Sequence, residues 1–237
     1  MRVLLVYSNR TRDLILAPPI GLSYVASATR RAGHTVRFLD LLTAPDPDAA
    51  LDTALCEFAP HVVGISVRNI DNVVYQRLRT HLGEIARFVA AIRRATGGRV
   101  PIVLGGPAIS ILGGAALAHV DADYAVRGEG EITFPALLAA LETGRNPGSI
   151  PGVCTREPGR AHDSLPARLP TFGASGMQDW IDWKTYARHG GTFAIQTKRG
   201  CPMSCSYCSY PDIEGQKLRR RDPVDVVDEI EAVQRTL

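Results

Sequence analysis

What the chain has little of narrows its class first. Net charge is slight: 27 Lys and Arg against 24 Asp and Glu leave +3, too small a balance to argue for nucleic acid. Cysteine is sparse, five in 237 residues, so a disulfide framework is not indicated. The apolar start, Met1 to Tyr7, is too short for a secretory leader. The uncharged run Val100 to Val120 is interrupted by Pro101, by Gly105-Gly106-Pro107 and by Gly113-Gly114. That reads as strand, turn and helix start, not as a membrane span. No G-x-G-x-x-G follows the first apolar run, so a dinucleotide is not indicated. These absences predict a cytoplasmic protein with no nucleic-acid partner and no membrane span.

What is present is ordinary in amount. Hydrophobic residues are 45% and charged residues 22%, as in soluble globular proteins. The length allows one good core and a second, smaller unit. Apolar runs predict strands at residues 2–7, 35–40, 62–67, 101–104 and 124–127. Between them, helices are expected over Leu22 to Arg31, near Ala49 to Phe58, over roughly 73–96, after Pro107, and from Gly128 through Leu141. The alternation predicts an α/β fold, a flavodoxin/Rossmann-like five-stranded parallel sheet with helices on both faces. Ligands of such sheets bind beyond the carboxyl ends of the strands. The loops there are Ser8–Asp13, Arg68–Asn72, Gly105–Ala108 and Gly128–Glu131, and small residues let a ligand approach the backbone.

Residues 142–192 are rich in turn residues, at Gly144 to Pro151, Pro158-Gly159 and Pro166 to Gly176. A packing helix is expected over Asp179 to Tyr186, with both tryptophans in the core. Cys56 and Cys154 read as small hydrophobes. Thr192 to Thr197 predicts a strand. Asp222-Pro223 then caps a helix, Val224 to Leu237, with Val226, Val227, Ile230 and Val233 as its buried stripe. The run Arg219-Arg220-Arg221 reads as a solvated face.

Between those two elements lies a C-x3-C-x2-C loop, Cys201, Cys205 and Cys208, with Tyr207 before the third cysteine. Three thiolates on so short a loop are expected to converge on one point, where soft ligands select zinc, copper(I) or an iron–sulfur cluster. Structural zinc wants four ligands. No fourth cysteine is near, and the nearest histidine is His189. Three ligands suit a four-iron cluster with one iron left open, whereas ferredoxin-type runs supply four thiolates. Gly200 suits a tight turn into the loop.

The loop closely resembles the signature of the radical S-adenosylmethionine (radical SAM) superfamily. That resemblance implies a 4Fe-4S cluster on Cys201, Cys205 and Cys208. It also implies SAM chelated at the open iron, Tyr207 beside its adenine, and reductive cleavage to a 5′-deoxyadenosyl radical. The order of Pro19-Ile-Gly-Leu-Ser-Tyr24, Ala32-Gly-His34, Val103-Leu-Gly-Gly-Pro107 and Arg127-Gly-Glu-Gly-Glu131 resembles the cobalamin-binding domain that precedes the cluster domain in one large class of these enzymes. The resemblance covers nearly the whole chain. It implies a corrin over the sheet edge, with its nucleotide tail beside the fourth and fifth strands. Ser66, Arg68, Asn69, Asp71, Gly105, Gly106, Pro107, Gly128, Glu129 and Gly130 are the implied cobalamin contacts. The D-x-H-x-x-G motif that brings a histidine under cobalt in many such domains is missing, and Arg68 is the nearest candidate to lie there.

The organisation this implies is a cobalamin domain at 1–142, a linker with short packing elements at 143–191, and the first strand, cluster loop and helix of a radical SAM barrel at 192–237. The chain then reads as the amino-terminal part of a longer enzyme, itself inactive, with an unpaired sheet edge and an exposed apolar helix face. The implied function is a cobalamin-dependent methyltransferase acting on a small molecule or peptide, with an external electron donor such as flavodoxin or ferredoxin. The alternatives are a non-methylating oxidoreductase or cyclase of the same class, a cobalamin-binding module whose cysteine loop is structural, and a plain flavodoxin-like or response-regulator-like domain.

Overall fold

The structure is a computed structural model that describes residues 1–12, 15–72, 74–156, 166–190 and 192–237. Five parallel strands form where apolar runs predict them: β1 (Arg2–Tyr7), β2 (Thr35–Asp40), β3 (Val62–Ser66), β4 (Ile102–Gly105) and β5 (Tyr124–Val126). A sixth, β6 (Val153–Thr155), pairs antiparallel with β5, giving the order β2-β1-β3-β4-β5-β6.

Successive side chains of a strand point to opposite faces, and β1 supplies both cores. Leu4 and Val6 pack under α2 (Pro47–Phe58), α3 (Leu82–Thr96) and the short α5 (Ala115–Val120). Val3, Leu5 and Tyr7 pack under α1 (Ile20–Arg31) and α6 (Gly130–Thr143). Asp46 caps α2 by accepting from the Asp48 and Ala49 amides, and Pro47 starts the helix without wasting a donor.

The expected helix over 73–96 is shorter. Residue 73 lies outside the described residues, and α3 starts at Leu82. Before it, Asn72 Oδ1 accepts from the Arg79 amide at 2.9 Å, and its Nδ2 donates to the Arg77 carbonyl at 3.0 Å. These bonds give the backbone an alternative to the helix, beside an isolated bridge between Asp71 and Thr80. The helix after Pro107 is split into α4 (Pro107–Leu112) and α5, with Gly113 at φ 55° between them.

Pro158-Gly159, in 143–191, lies outside the described residues, as does Asp13 at the end of the first expected loop. The described part adds β6 to the sheet and core side chains to the α1–α6 face: Met177, Ile181, Trp183 and Tyr186 are buried there. Trp180 stacks on Phe38 with ring centroids 5.9 Å apart. The expected helix over 179–186 forms as α7 (Trp183–Arg188), capped by Asp182.

Residues 192–197 form no strand. Only β7 (Lys198–Arg199) pairs, antiparallel with β8 (Arg219–Arg220). Thr197 gives its carbonyl to the Arg221 amide, and no partner strand among the described residues runs alongside 192–197. Between β7 and β8 lie the cysteine loop and α8 (Tyr210–Glu214); α9 (Pro223–Gln234) follows, capped by Asp222. The expected stripe on α9 is corrected: Val227 and Ile230 are exposed, and the buried positions are Glu229 and Val233. Among the described residues, no helix is long and apolar enough to cross a membrane.

Candidate functional site

Register brings Tyr7, Ser66 and Gly105 level at the carboxyl edge of the sheet. The chain then turns at Gly106, φ 97°, where an added Cβ would lie 2.6 Å from the Val67 carbonyl oxygen, and Pro107 opens α4. Ser110 on α4 reaches across and accepts from the Gly128 amide at 3.0 Å. These contacts set one wall of an open groove, whose empty space is about 880 Å³ when that open to solvent is counted.

Ser66, Gly105, Gly106, Pro107, Gly128, Glu129 and Gly130 all line this groove. Its floor is apolar, with Leu5, Val103 and Phe134. Gly64 in β3 leaves room for the floor side chains, since a Cβ there would meet Leu5 Cδ2 at 2.7 Å and Phe134 Cζ at 3.3 Å. A slot with backbone along one wall and an apolar floor fits a flat, largely apolar group.

The other expected contacts stand apart. Arg68 and Asn69 line a smaller hollow at the same edge, with Ser8, Asn9, Arg10, His81 and Glu84, where Arg10 pairs with Glu84 at 3.0 Å. Asp71 lies further along, at the bridge to Thr80. The structure thus gathers seven of the ten expected residues in one groove and leaves three beside it.

The opposite wall was not expected. Gln196, Arg199, Ile213 and Glu214 line the groove too, and they form the neck of the cysteine loop. Gly200 turns at φ 83°, and a Cβ there would lie 2.2 Å from the Lys217 carbonyl oxygen. Its amide donates to Glu214 Oε2 at 3.1 Å, and the Cys201 amide donates to the Gly215 carbonyl at 3.0 Å. Beyond the neck, Cys201 is half-buried, Cys205 and Cys208 are exposed, and all three are free thiols. Tyr207 is 90% exposed. The expected convergence on one point is not formed: among the described residues, no three His, Cys, Asp or Glu side chains are arranged to hold a metal ion. Ligand loops gain their order from metal binding itself. The donor set, three free thiols on one short loop, fits an iron–sulfur cluster.

The arginine run is the main correction. Arg219 and Arg221 are buried and Arg220 is exposed, so the run follows the strand period and is no solvated face. Arg219 pairs with Glu129 and donates to the Leu169 and Glu214 carbonyls, each at 2.7 Å. Glu129 therefore lines the groove with its carboxylate engaged: Oε2 accepts from the Leu169 amide at 2.9 Å and stands 3.5 Å from Arg199 Nη1. Burial pushes the Tyr24 hydroxyl up to about 12, against the pull of Arg221 and Arg199. Sequence reasoning missed this charged seam because its partners are far apart along the chain. The two-residue spacing of Arg219 and Arg221 was the one local signal.

A parallel sheet with a glycine-walled groove at its carboxyl edge, shared with the neck of a three-cysteine loop, has the geometry of a ligand-binding α/β domain. Residues 15–138 match the B12 binding domain family, and the chain belongs to that family. It is 30% identical over 229 residues to the anaerobic magnesium-protoporphyrin IX monomethyl ester cyclase of Synechocystis, covering 92% of this chain and 43% of the relative. It is 29% identical over 224 residues to an uncharacterized methyltransferase of Pyrococcus horikoshii, covering 90% and 45%. The structure of the radical S-adenosylmethionine methyltransferase TsrM from Kitasatospora setae, with cobalamin and a 4Fe-4S cluster bound, superposes at a TM-score of 0.81 and 29% identity, over 98% of this chain and 45% of that one. The chain thus spans under half the length of these relatives.

Proposed function

We propose that the chain forms the cobalamin domain (1–142), the connecting segment (143–191) and the cluster-bearing first unit of the barrel (192–237) of a cobalamin-dependent radical SAM methyltransferase. One observation carries this reading: a single groove has the glycine loops of the sheet edge as one wall and the neck of the cysteine loop as the other. A tail lying in that groove would hold a corrin next to whatever the cysteines bind.

Cys201, Cys205 and Cys208 would hold the 4Fe-4S cluster, and the open side of the loop leaves Tyr207 free to lie against the adenine of SAM. Gly105, Gly106 and Pro107 would bring backbone to the nucleotide tail, with Gly128, Glu129 and Gly130 beside them. Ser66 lines the groove, and Arg68, Asn69 and Asp71, beside it, would meet the corrin, with Arg68 the nearest candidate to lie by cobalt. When bound, the two groups supply one-electron cleavage of SAM and a carrier for its methyl group. The substrate is a small molecule or peptide, electrons come from an external flavodoxin or ferredoxin, and the enzyme works in the cytoplasm. A second reading, ring formation without methylation, is favoured by the 30% identity to a relative named as a cyclase.

Anaerobic incubation with iron, sulfide and hydroxocobalamin, then gel filtration, tests the reading. Corrin absorbance and iron should elute with the protein, and alanine at Cys201, Cys205 or Cys208 should remove the iron and leave the corrin. Elution of the protein with neither group overturns the proposal. In the full-length enzyme, given SAM carrying a labelled methyl group and a reductant, label on cobalamin favours methylation. Formation of 5′-deoxyadenosine without label on cobalamin favours the second reading.

A further inference from the structure

Arg199 stands two residues before Cys201 and is 5% exposed. Its guanidinium carbon lies 4.3 Å from the ring centroid of Phe172 and 4.5 Å from that of Tyr24. Nη1 pairs with Glu131, and Nε donates to Gln196 Oε1 at 2.9 Å. A guanidinium can stack by its faces and bond by its edge at once, which an ammonium cannot do. Gln196 in turn donates to Glu214 Oε1 at 2.7 Å, and Glu214 Oε2 holds the Gly200 amide. The chain of contacts runs Glu131, Arg199, Gln196, Glu214, Gly200. Its first four members line the groove; the fifth adjoins Cys201.

We propose that Arg199 is a positioning residue that couples occupancy of the groove to closure of the cysteine loop at its neck. The inference rests on the cobalamin reading above. A tail in the groove takes water away from the Glu131, Arg199 and Gln196 contacts, and lower local dielectric strengthens them. The strengthened clamp holds the Gly200 and Cys201 amides in their bonds to Glu214 and Gly215. Coupling between two sites is reciprocal, so an ordered cysteine loop raises affinity in the groove by the same factor.

Hydrogen exchange of the whole chain, with and without saturating hydroxocobalamin, reads this directly in peptides covering residues 198–209. In the wild type, cobalamin should slow exchange at the Gly200 and Cys201 amides by about 5-fold or more. In Arg199→Gln the slowing should fall below about 2-fold at saturating cobalamin, with Arg199→Lys between the two. Glu131→Gln, which keeps size and loses only charge, should behave like Arg199→Gln and serves if that variant fails to fold. A merely structural role lowers the melting temperature and leaves the ratio of rates with and without cobalamin unchanged; that result overturns the proposal. Cobalamin bound to the wild type without any slowing overturns the coupling alone. Cobalamin that never elutes with the wild type overturns the functional reading, and the coupling falls with it.

Discussion

Arg221 Nη1 lies 2.5 Å from Glu229 Oε2, and neither side chain has more than 1% of its surface in contact with solvent. Glu229 Oε1 accepts from the Ser175 amide and hydroxyl, at 2.7 and 2.5 Å. Ser175 gives its carbonyl to Ser27 on α1, at 2.7 Å. One buried carboxylate thus joins α9, the connecting segment and the sheet's helical layer. Removing one partner of such a pair leaves an uncompensated buried charge, which costs about 3–5 kcal/mol. Glu229→Ala should lose that much in urea unfolding followed by tryptophan fluorescence. Replacing the pair together, Arg221→Met with Glu229→Leu, should cost less than the single change. A loss under about 1 kcal/mol for Glu229→Ala, the size of a surface pair, would show that the pair does not hold α9.

Legibility followed the range of the interactions. β1 and β2 were readable to the residue because their pattern is local, a run of Val and Leu or an alternation that starts at Thr35 and breaks only at Phe38-Leu39. The cysteine loop was readable as a donor set because three ligands lie close in sequence. Its neck was not, since Arg199 is held by Tyr24, Glu131 and Phe172 from three separate stretches. Residues 74–81 were misread as helix because the competing bonds come from one side chain, Asn72, whose reach to Arg77 and Arg79 no periodicity encodes. α9 was placed correctly and half of its stripe holds: Val233 is buried and Val226 half-buried, but Val227 and Ile230 face out, and a charged residue, Glu229, is the one that Arg221 draws inside.

Two neighbouring glycines separate folding from binding. Gly105 has ordinary φ, and a Cβ there meets only the Val126 carbonyl oxygen at 3.9 Å. A β-branched side chain suits a strand position, so Gly105→Val should keep stability within about 0.5 kcal/mol while projecting bulk at the groove wall. Corrin retention on gel filtration should be lost. Gly106→Ala meets positive φ and a 2.6 Å approach to the Val67 carbonyl oxygen, and should lose about 1–3 kcal/mol. Full corrin retention by Gly105→Val would remove this edge from the binding site.

The five free thiols differ in access. Cys154 is buried, and burial raises its pKa, while Cys56, Cys205 and Cys208 are exposed. Thiolate access governs alkylation, so iodoacetamide on the native protein should modify those three quickly and Cys154 only on unfolding. After anaerobic reconstitution with iron and sulfide, Cys201, Cys205 and Cys208 should become protected together, and Cys56 should stay reactive. Mass spectrometry of the alkylated peptides checks both statements. Protection that spreads equally to Cys56 would point to aggregation instead of cluster binding.

His34 gives the fold a pH dependence of known sign. It is 8% exposed, and its Nδ1 accepts from the Met1 ammonium at 3.0 Å. Burial first, then the Met1 charge, push its pKa below the usual imidazole value, against the opposing pull of Glu142. The unfolded chain, with an imidazole near about 6.5, therefore takes up the proton before the folded protein does. A depressed folded pKa contributes stability that is present above the unfolded value and is lost as pH falls through the folded one. Unfolding free energy in urea should decline as pH drops below about 6.5, and His34→Gln should flatten that decline without removing the carboxylate titration at lower pH. Equal slopes for wild type and His34→Gln across that window would mean that the ring titrates alike in both states and that its burial between Met1 and the α1 terminus costs nothing on protonation.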